Sequence, residues 1–562
     1  MVSVLISFIY LGMTSFLLGY GIKMAAQRFL GYSIREITGI FMAGLAAATV
    51  YAGFYSLFSG VGGGANGGLL LLCAISLFAG RRELPGFLRK KTEKLKPAAF
   101  LGLLLLILIM AYGSSRGYLH FDTGLYHAQS IRWIEEYGVV PGLGNLHSRL
   151  AYNSSAFLLT ALYSGSFLTG RSLHTAAGFL ALILAVKGFS VIGVWKRKKI
   201  LLSDFVKVAL LWYLSMIYTE MVSPASDYFA MLFLFYVVIT WLELEETGEK
   251  KITPYSLLCV LLAVIVSIKL SAAVMLLLVI KPAMVLLRER RYREIAIYLV
   301  LGIVAVFPYL ARNVILSGWL VYPFAGLDLF SVDWKIPIGE VQYDAEEIKV
   351  YAKGMTDVLL KDTPIRVWLP EWFGGLKGLE KLWVMASAAS TVLGSLWCLV
   401  KGIKKEKEVY GIIFLELVMI IGYLFWQLGT PLVRYGYIYI LAFPFLTAGL
   451  WIVSLPDKGG FIRRLMAAAL VVLALYKGKN LVQDMIRFAH LDCWLWQQDY
   501  QAGAIDSYEL EGITIYIPLD SGQIGYDAFP SSPYIREDIE LREGTLEGGF
   551  RKKQEGAVES ES

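Results

Sequence analysis

Apolar runs of about 20 residues recur from the first residues of the chain to about position 477, and each is the length that one helical crossing of a bilayer core roughly 30 Å thick requires. Inside such a core every backbone N–H and C=O must be paired within its own segment, so helices are the expected element throughout. Candidate spans lie at 3–20, 37–58, 68–80, 98–114, 172–194, 205–220, 228–243, 254–268, 271–287, 295–311, 381–400, 409–428, 437–454 and 464–477. The expected fold class is therefore an all-α polytopic membrane protein, a bundle of about 14 transmembrane helices. Composition agrees, since 57% of the residues are hydrophobic and only 17% charged, far less charge than soluble domains carry. The opening "MVSVLISFIYLGMTSFLLGYG" has no basic leader and no small-residue cleavage site, so it reads as a retained first span.

The net charge of +7 comes largely from short basic clusters between apolar runs, at 81–96, 195–199, 249–251, 288–293, 401–407 and 457–464. Such clusters belong on the cytoplasmic side, and they imply no nucleic-acid partner. Both termini then fall outside, as do two long loops at 115–171 and 312–380. The apolar stretch 153–169 breaks the alternation of sides, because only an odd number of crossings fits between its flanks; it is expected to lie on or dip into the outer leaflet. The expected division is a transmembrane domain at 1–477, a small extracytoplasmic region with strand-like alternation at 478–535, and a charged, disordered tail at 536–562. The four cysteines form no zinc or disulfide pattern, and "GVGGGANGG" lacks the GK[ST] ending of a nucleotide loop, which argues against an ATP-driven pump.

The first outer loop opens with "HFDTGLYHAQSIRWIEE", residues 120–136. As a regular helix from Asp122 it would put Tyr126, Ile131, Trp133, Ile134 and Tyr137 on one arc and Gln129, Arg132, Glu135 and Glu136 on the other, lying on the membrane with its aromatic face down. Asp122 reads equally as an N-cap and as a catalytic carboxylate. On that helix His127 points away from Asp122 and reads as a packed histidine; His120, His127 and His147 lack metal-ligand spacing, so no metal is assigned.

A spanning helix followed at once by an acidic outer loop resembles the GT-C class of integral-membrane glycosyltransferases, the match being "FDTGLYH" at 121–127, with one Asp where many members have an acidic pair. That resemblance implies a GT-C-like bundle, a polyprenyl-phosphate-linked sugar donor and a catalytic carboxylate at Asp122. A closer resemblance, to a group of bacterial multi-spanning proteins of glycosyltransferase type, is carried by 120–155, "SPASD" (223–227), "KLS" (269–271), "RNVILSGWLVYPF" (312–324), "DWKIP" (333–337) and "VRYGY" (433–437).

Such a transfer needs a base for the acceptor hydroxyl, for which Asp122 is best placed, and cations for the departing phosphate. Lys269, Arg312 and Arg434 are the candidates, each of which taken alone also reads as an ordinary snorkelling residue. Asp227, His127 and Tyr126 are candidates on the acceptor side, although for Asp227 the helix-cap reading is the favoured one. No organic cofactor is called for, and a divalent cation is compatible with the chemistry. The expected partners are a lipid-linked sugar donor, membrane lipids and a glycan, lipid or protein acceptor, at the plasma (bacterial inner) membrane. The competing functions are an O-antigen-type polymerase or ligase and a transporter or flippase, for which Lys269 and Glu416, in apolar surroundings, would be the path-marking residues.

Overall fold

The computed structural model describes residues 1–93, 96–197, 199–456, 460–520 and 522–553. Eleven helices among them are long and apolar enough to cross a membrane, from Val2–Leu30 and Ile37–Tyr55 to Tyr410–Gly429 and Phe461–Arg487. The chain is a mostly helical, multi-pass membrane protein. Each of the eleven falls on an expected span. The remaining expected spans fall on shorter helices: Leu202–Ile217 and Thr253–Ile268 have 16 residues each, about 24 Å at 1.5 Å per residue, and Ile438–Val453 begins with a π-helical turn. The stretch at 153–169 breaks at Gly165, in the left-handed region at φ 66°. Its helix Ser155–Tyr163 has nine residues, too short to cross, and is lodged between neighbours, with Tyr163 Oη 2.9 Å from Thr14 Oγ1 and Asn66 Nδ2 donating to Leu162 O at 3.0 Å.

Small residues let the first two helices touch. A Cβ on Gly19 would lie 1.8 Å from Ile40 O, and one on Gly44 would lie 1.7 Å from Ser15 O. The backbones thus approach as closely as small-residue seams allow. One end of the bundle gathers basic groups in a net of ion pairs: Lys187 with Glu36 and Glu243, Lys207 with Glu243 at 2.8 Å, and Arg197 with Asp204 at 2.6 Å. The opposite end carries the long loops and the C-terminal lobe.

That lobe departs from expectation in two ways. The helix Phe461–Arg487 runs ten residues past the expected boundary at 477, so the lobe begins beyond Arg487. After the antiparallel hairpin of Ile505–Leu510 and Ile513–Pro518, a second one pairs Ile539–Leu541 with Phe550–Lys552, where a disordered tail was expected. Few apolar residues are available there, but Ile539, Leu541 and Phe550 are all buried. The charges are matched as well: Arg542 on Asp333 at 2.8 Å, Arg551 on Glu540 at 2.6 Å, and Lys552 on Asp538 and Glu340 at 2.6 Å each. Residues 554–562 lie outside the described residues.

The lobe also covers the polar arc of the helix Ala128–Glu136, which was expected to face water. Gln129 Nε2 donates to Gly525 O and Ala528 O at 2.9 Å each, Arg132 to Tyr526 O and Asp527 O at 3.0 Å, and Glu135 accepts from Tyr526 Oη, with Ser172 Oγ donating to its other oxygen at 2.7 Å from outside the lobe. Polar side chains that find such partners can be buried as readily as they are hydrated.

Arg312 ties the layers together. Its Nε donates to Asn153 Oδ1 at 2.9 Å, and its Nη1 donates to Ser56 Oγ and Gly138 O at 2.8 Å each. No carboxylate among the described residues pairs with it. The guanidinium joins the helix Tyr292–Ser317 to three turns at the loop end of the bundle, and this employment replaces its expected role as a phosphate ligand.

Two outcomes are expected. Arg312→Met leaves buried acceptors unpaired and costs roughly 3 kcal/mol, seen as a lowered melting temperature in detergent micelles; an unchanged melting temperature would show that these bonds do not hold the layers. The second concerns His147 and His174. Burial first, then the nearby Arg149 and Arg536, lowers His147 from 6.5 to about 3. Burial likewise lowers His174 to about 4, against the opposing pull of the Ser172 carbonyl and Asp499. The unfolded chain binds these protons first, so stability present above pH 6.5 falls as the pH drops toward the folded values, by roughly 2 kcal/mol per histidine at pH 5. Thermal melts from pH 7.5 to pH 5 should show this loss, and His147→Gln with His174→Gln should flatten it.

Candidate functional site

The chain leaves the helix Pro97–Ser115 and reaches His120, Phe121 and Asp122 before one π-helical turn, Thr123–His127, closed by Ala128 N donating to Thr123 O. A π turn inserts a residue into a helix and is common at functional sites. It changes the angular relation of Asp122 and His127 from that of a regular helix. His127 is buried against Phe157 at 5.0 Å, as a packed histidine should be, but its ring also stacks on His120 at 5.8 Å. Burial, with His120 next, pushes His127 well below its usual range. Tyr126 packs beside it and edge-on to Tyr152 at 5.8 Å.

Three contacts from the C-terminal lobe hold this turn. Ile524 N and Gly525 N both donate to Gly124 O at 2.9 Å, and Gln523 Nε2 donates to Phe121 O at 3.0 Å. A Cβ at Gly124 would fall 2.5 Å from Gln501 O, so glycine is required where lobe and turn meet.

Neither Asp122 nor Asp227 caps a helix. Asp122 precedes the π turn without a capping bond, and Asp227 is the second residue of Ser226–Glu246, also without one. Both carboxylates are turned to Arg434 instead. Arg434 Nη2 donates to Asp122 Oδ2 at 2.9 Å, and its Nε lies 3.2 Å from Asp227 Oδ2. Asp227 Oδ1 also pairs with Lys269, whose Nζ sits 3.7 Å from the centre of the Tyr435 ring. Burial alone would lower the Arg434 pKa, but Asp227, Tyr435 and Asp122 reverse that and raise it.

His120 completes the group. Its backbone N–H donates to Ser223 Oγ at 2.7 Å, which ties it to the "SPASD" turn, and Arg434 Nη1 lies 2.8 Å from its Nε2. A guanidinium only donates, so Nε2 accepts. Burial first, then Arg434, lowers the pKa of His120, and the neutral ring carries its proton on Nδ1, 3.9 Å from Asp122 Oδ2. The backbone N–H of Asp122 is also 3.1 Å from Nδ1, but a neutral imidazole has one acceptor nitrogen and the charged donor has the stronger claim to it.

Beside the charged group a cavity of about 360 Å³ is lined by Asp122, Tyr126, Arg149, Tyr152, Glu347 and Arg434, among others. The helix Ile338–Ala352 of the second long loop forms one wall. It is fastened through Asp344, whose Oδ1 accepts from Tyr152 Oη at 3.1 Å and whose carboxyl is pushed up to about 6, chiefly by burial. Asp122 Oδ2 is engaged, while Oδ1 makes no hydrogen bond to a described residue. Among the described residues no group of three or more His, Cys, Asp or Glu is placed to hold a metal ion.

Of the residues singled out in the sequence, Asp122, Asp227, Lys269 and Arg434 form one cluster, with Tyr126 and His127 packed beside it and Arg312 elsewhere. Arg149, Tyr152, His120 and Tyr435 were not singled out as site residues. Their only sequence signal is proximity, since Arg149 and Tyr152 lie in "HSRLAY" and Tyr435 follows Arg434.

No curated protein and no solved structure matches the chain. A family model described as a domain of unknown function, DUF8201, matches residues 1–441 and takes in Asp122, Asp227, Lys269 and Arg434. By that match, which spans most of its length, the chain belongs to the DUF8201 family.

Proposed function

We propose that the protein is an integral-membrane glycosyltransferase that moves a sugar from a polyprenyl-phosphate donor to a glycan, lipid or protein acceptor on the extracytoplasmic face of the plasma membrane. The observation that carries this reading is the state of Asp122. Its carboxylate is oriented through one oxygen by Arg434 and keeps the other oxygen unengaged on a cavity at the loop end of the bundle. A donor carried in the membrane and an acceptor outside it can meet there.

The reading includes a topology of fourteen crossings, in which the three shorter helices also span and the basic net is cytoplasmic. Alternation of the basic clusters supports it, as does the compact, non-crossing helix Ser155–Tyr163. GT-C-like architecture is part of the same proposal and is supported by the acidic segment directly after the helix Pro97–Ser115.

In the reaction an acceptor hydroxyl attacks the anomeric carbon and its proton passes to Asp122 Oδ1. The new C–O bond forms as the bond to the phosphate oxygen breaks, and the phosphate departs with the electron pair. That leaving group needs no general acid, only cations. Asp227 and Lys269 act behind the reacting atoms, holding Arg434 in the orientation that presents Asp122.

Asp122→Asn keeps the size of the side chain and removes the base, whose loss typically costs 10²- to 10⁴-fold, as an order of magnitude. In cells carrying this variant at normal expression, the lipid-linked donor should accumulate and the glycosylated product should fall to background in a glycan profile by mass spectrometry. An unchanged profile would remove Asp122 from catalysis and the reading with it.

A further inference from the structure

The cluster is internally neutral in a way that separates its cations by task. Arg434 faces two carboxylates, those of Asp122 and Asp227, and Lys269 faces Asp227. Two positive charges are matched by two negative ones. His120, held neutral, adds nothing. A phosphate arriving here would have to draw Arg434 or Lys269 away from a carboxylate already in contact, and it would meet two negative charges in doing so.

Arg149 stands differently. It lines the same cavity as Asp122 and Arg434, projecting from the turn Ser148–Tyr152. Among the described residues it makes no hydrogen bond and no ion pair; Asp122 and Glu347 act on it from beyond contact distance. The turn that carries it is anchored at its C-terminal end to two helices. Asn153, in the left-handed region at φ 49°, donates to Tyr309 O and Asn313 Oδ1 at 2.9 Å each, and Tyr152 is fixed to Asp344. A half-buried guanidinium on a fixed turn, with its donors unspent and facing a cavity, is a pre-organised anion receptor.

Resting on the glycosyltransferase reading and deepening it, we propose that Arg149 is the residue that receives the phosphate of the substrate, whereas Lys269 and Arg434 are positioning residues for the two carboxylates. The ligand chemistry is a phosphate or diphosphate monoester. Its anionic end enters between Arg149 and Asp122, which places the ester oxygen within the same cavity as the unengaged Asp122 Oδ1. The bidentate fork of Arg149 suits two phosphate oxygens at once.

The test is a binding titration of the full-length protein in detergent micelles with farnesyl phosphate, farnesyl diphosphate, farnesol and inorganic phosphate. Wild type should bind the two phosphorylated lipids and discriminate against farnesol. Arg149→Gln should weaken farnesyl phosphate by about tenfold or more, and Arg149→Lys should fall between the two. Because Arg149 bonds to no described residue, the melting temperature of Arg149→Gln should match wild type, which separates lost binding from lost folding. Asp122→Asn should bind farnesyl phosphate at least as tightly as wild type, since it removes a repelling charge. Tighter binding of farnesyl phosphate than of inorganic phosphate supports a membrane-borne source for the anion, and equal binding of the two supports a soluble one at the same residue. Equal affinity of Arg149→Gln and wild type, or equal binding of farnesol and farnesyl phosphate, would overturn the proposal. The glycan profile of Asp122→Asn reports on the transferase reading independently of either result.

Discussion

Arg434 is the contact on which the loop end of the bundle turns. Its guanidinium touches Asp122, His120 and Asp227, joining the segment that follows the helix Pro97–Ser115 to the start of the helix Ser226–Glu246. Two carboxylates this close repel each other, and each one buried alone costs several kcal/mol of lost hydration. They coexist because Arg434 lies between them and Lys269 takes the remaining oxygen of Asp227. The loop that carries Arg434 is fixed in turn by indole donors: Trp426 Nε1 to Leu432 O at 2.9 Å and Trp372 Nε1 to Pro431 O at 3.0 Å. At Gly436 a Cβ would fall 2.3 Å from the Trp426 ring, so the loop can lie flat on that tryptophan only with glycine there. Packing sets the charge geometry, and the charge geometry orients Asp122.

The membrane-embedded part of this fold was legible because hydropathy reports directly on the solvent that each segment meets. Every helix long enough to span sits on an apolar run visible in the sequence. The loop end was less legible for a physical reason. The arc Gln129, Arg132, Glu135 and Glu136 has the polarity of a solvated face, and polarity alone does not say whether water or a protein carbonyl answers it. Here main-chain carbonyls of 525–528 answer Gln129 and Arg132. The last hairpin was hidden likewise. Its charged residues have the composition of a disordered segment, and only pairing with Asp333 and Glu340, some 200 residues upstream, makes burial of Phe550 worthwhile.

The candidate site shows the same division. Asp122, Asp227, Lys269 and Arg434 stood out as charges next to apolar runs, where a charge needs a reason, and the reason proves to be each other. Arg312 stood out on the same ground, but its reason is a set of neutral acceptors: Asn153, Ser56 and Gly138. Arg149 did not stand out, because it lies in a polar loop where an arginine is unremarkable in sequence. What distinguishes it is the absence of a bonded partner among the described residues, a property of the folded chain that no pattern of residue types encodes. The π turn at Thr123–His127 is a similar case. Its extra residue is stabilised by the lobe at 523–525, which lies beyond the 441 residues of the family match.

The two ionisable residues that would have marked a transport path both have partners within the bundle, although the second oxygen of Glu416 has none among the described residues. Lys269 is held by Asp227 and packed on Tyr435 at the loop end. Glu416, fully buried in the helix Tyr410–Gly429, accepts from Thr447 Oγ1 at 2.6 Å across to the helix Phe443–Val453. It packs against Gly394 of a third helix, where a Cβ would lie 2.3 Å from its Oε1. A residue on a conduction route must face a space that the cargo can enter, and Glu416 instead fills the space that Gly394 vacates, joining three helices as a polar strut. The cavity that does hold unspent polar groups, Arg149 and the second oxygen of Asp122, opens at the loop end beside the second long loop. Asp122 and Arg149 thus meet at the loop end of the bundle, the place where the proposed transfer would occur.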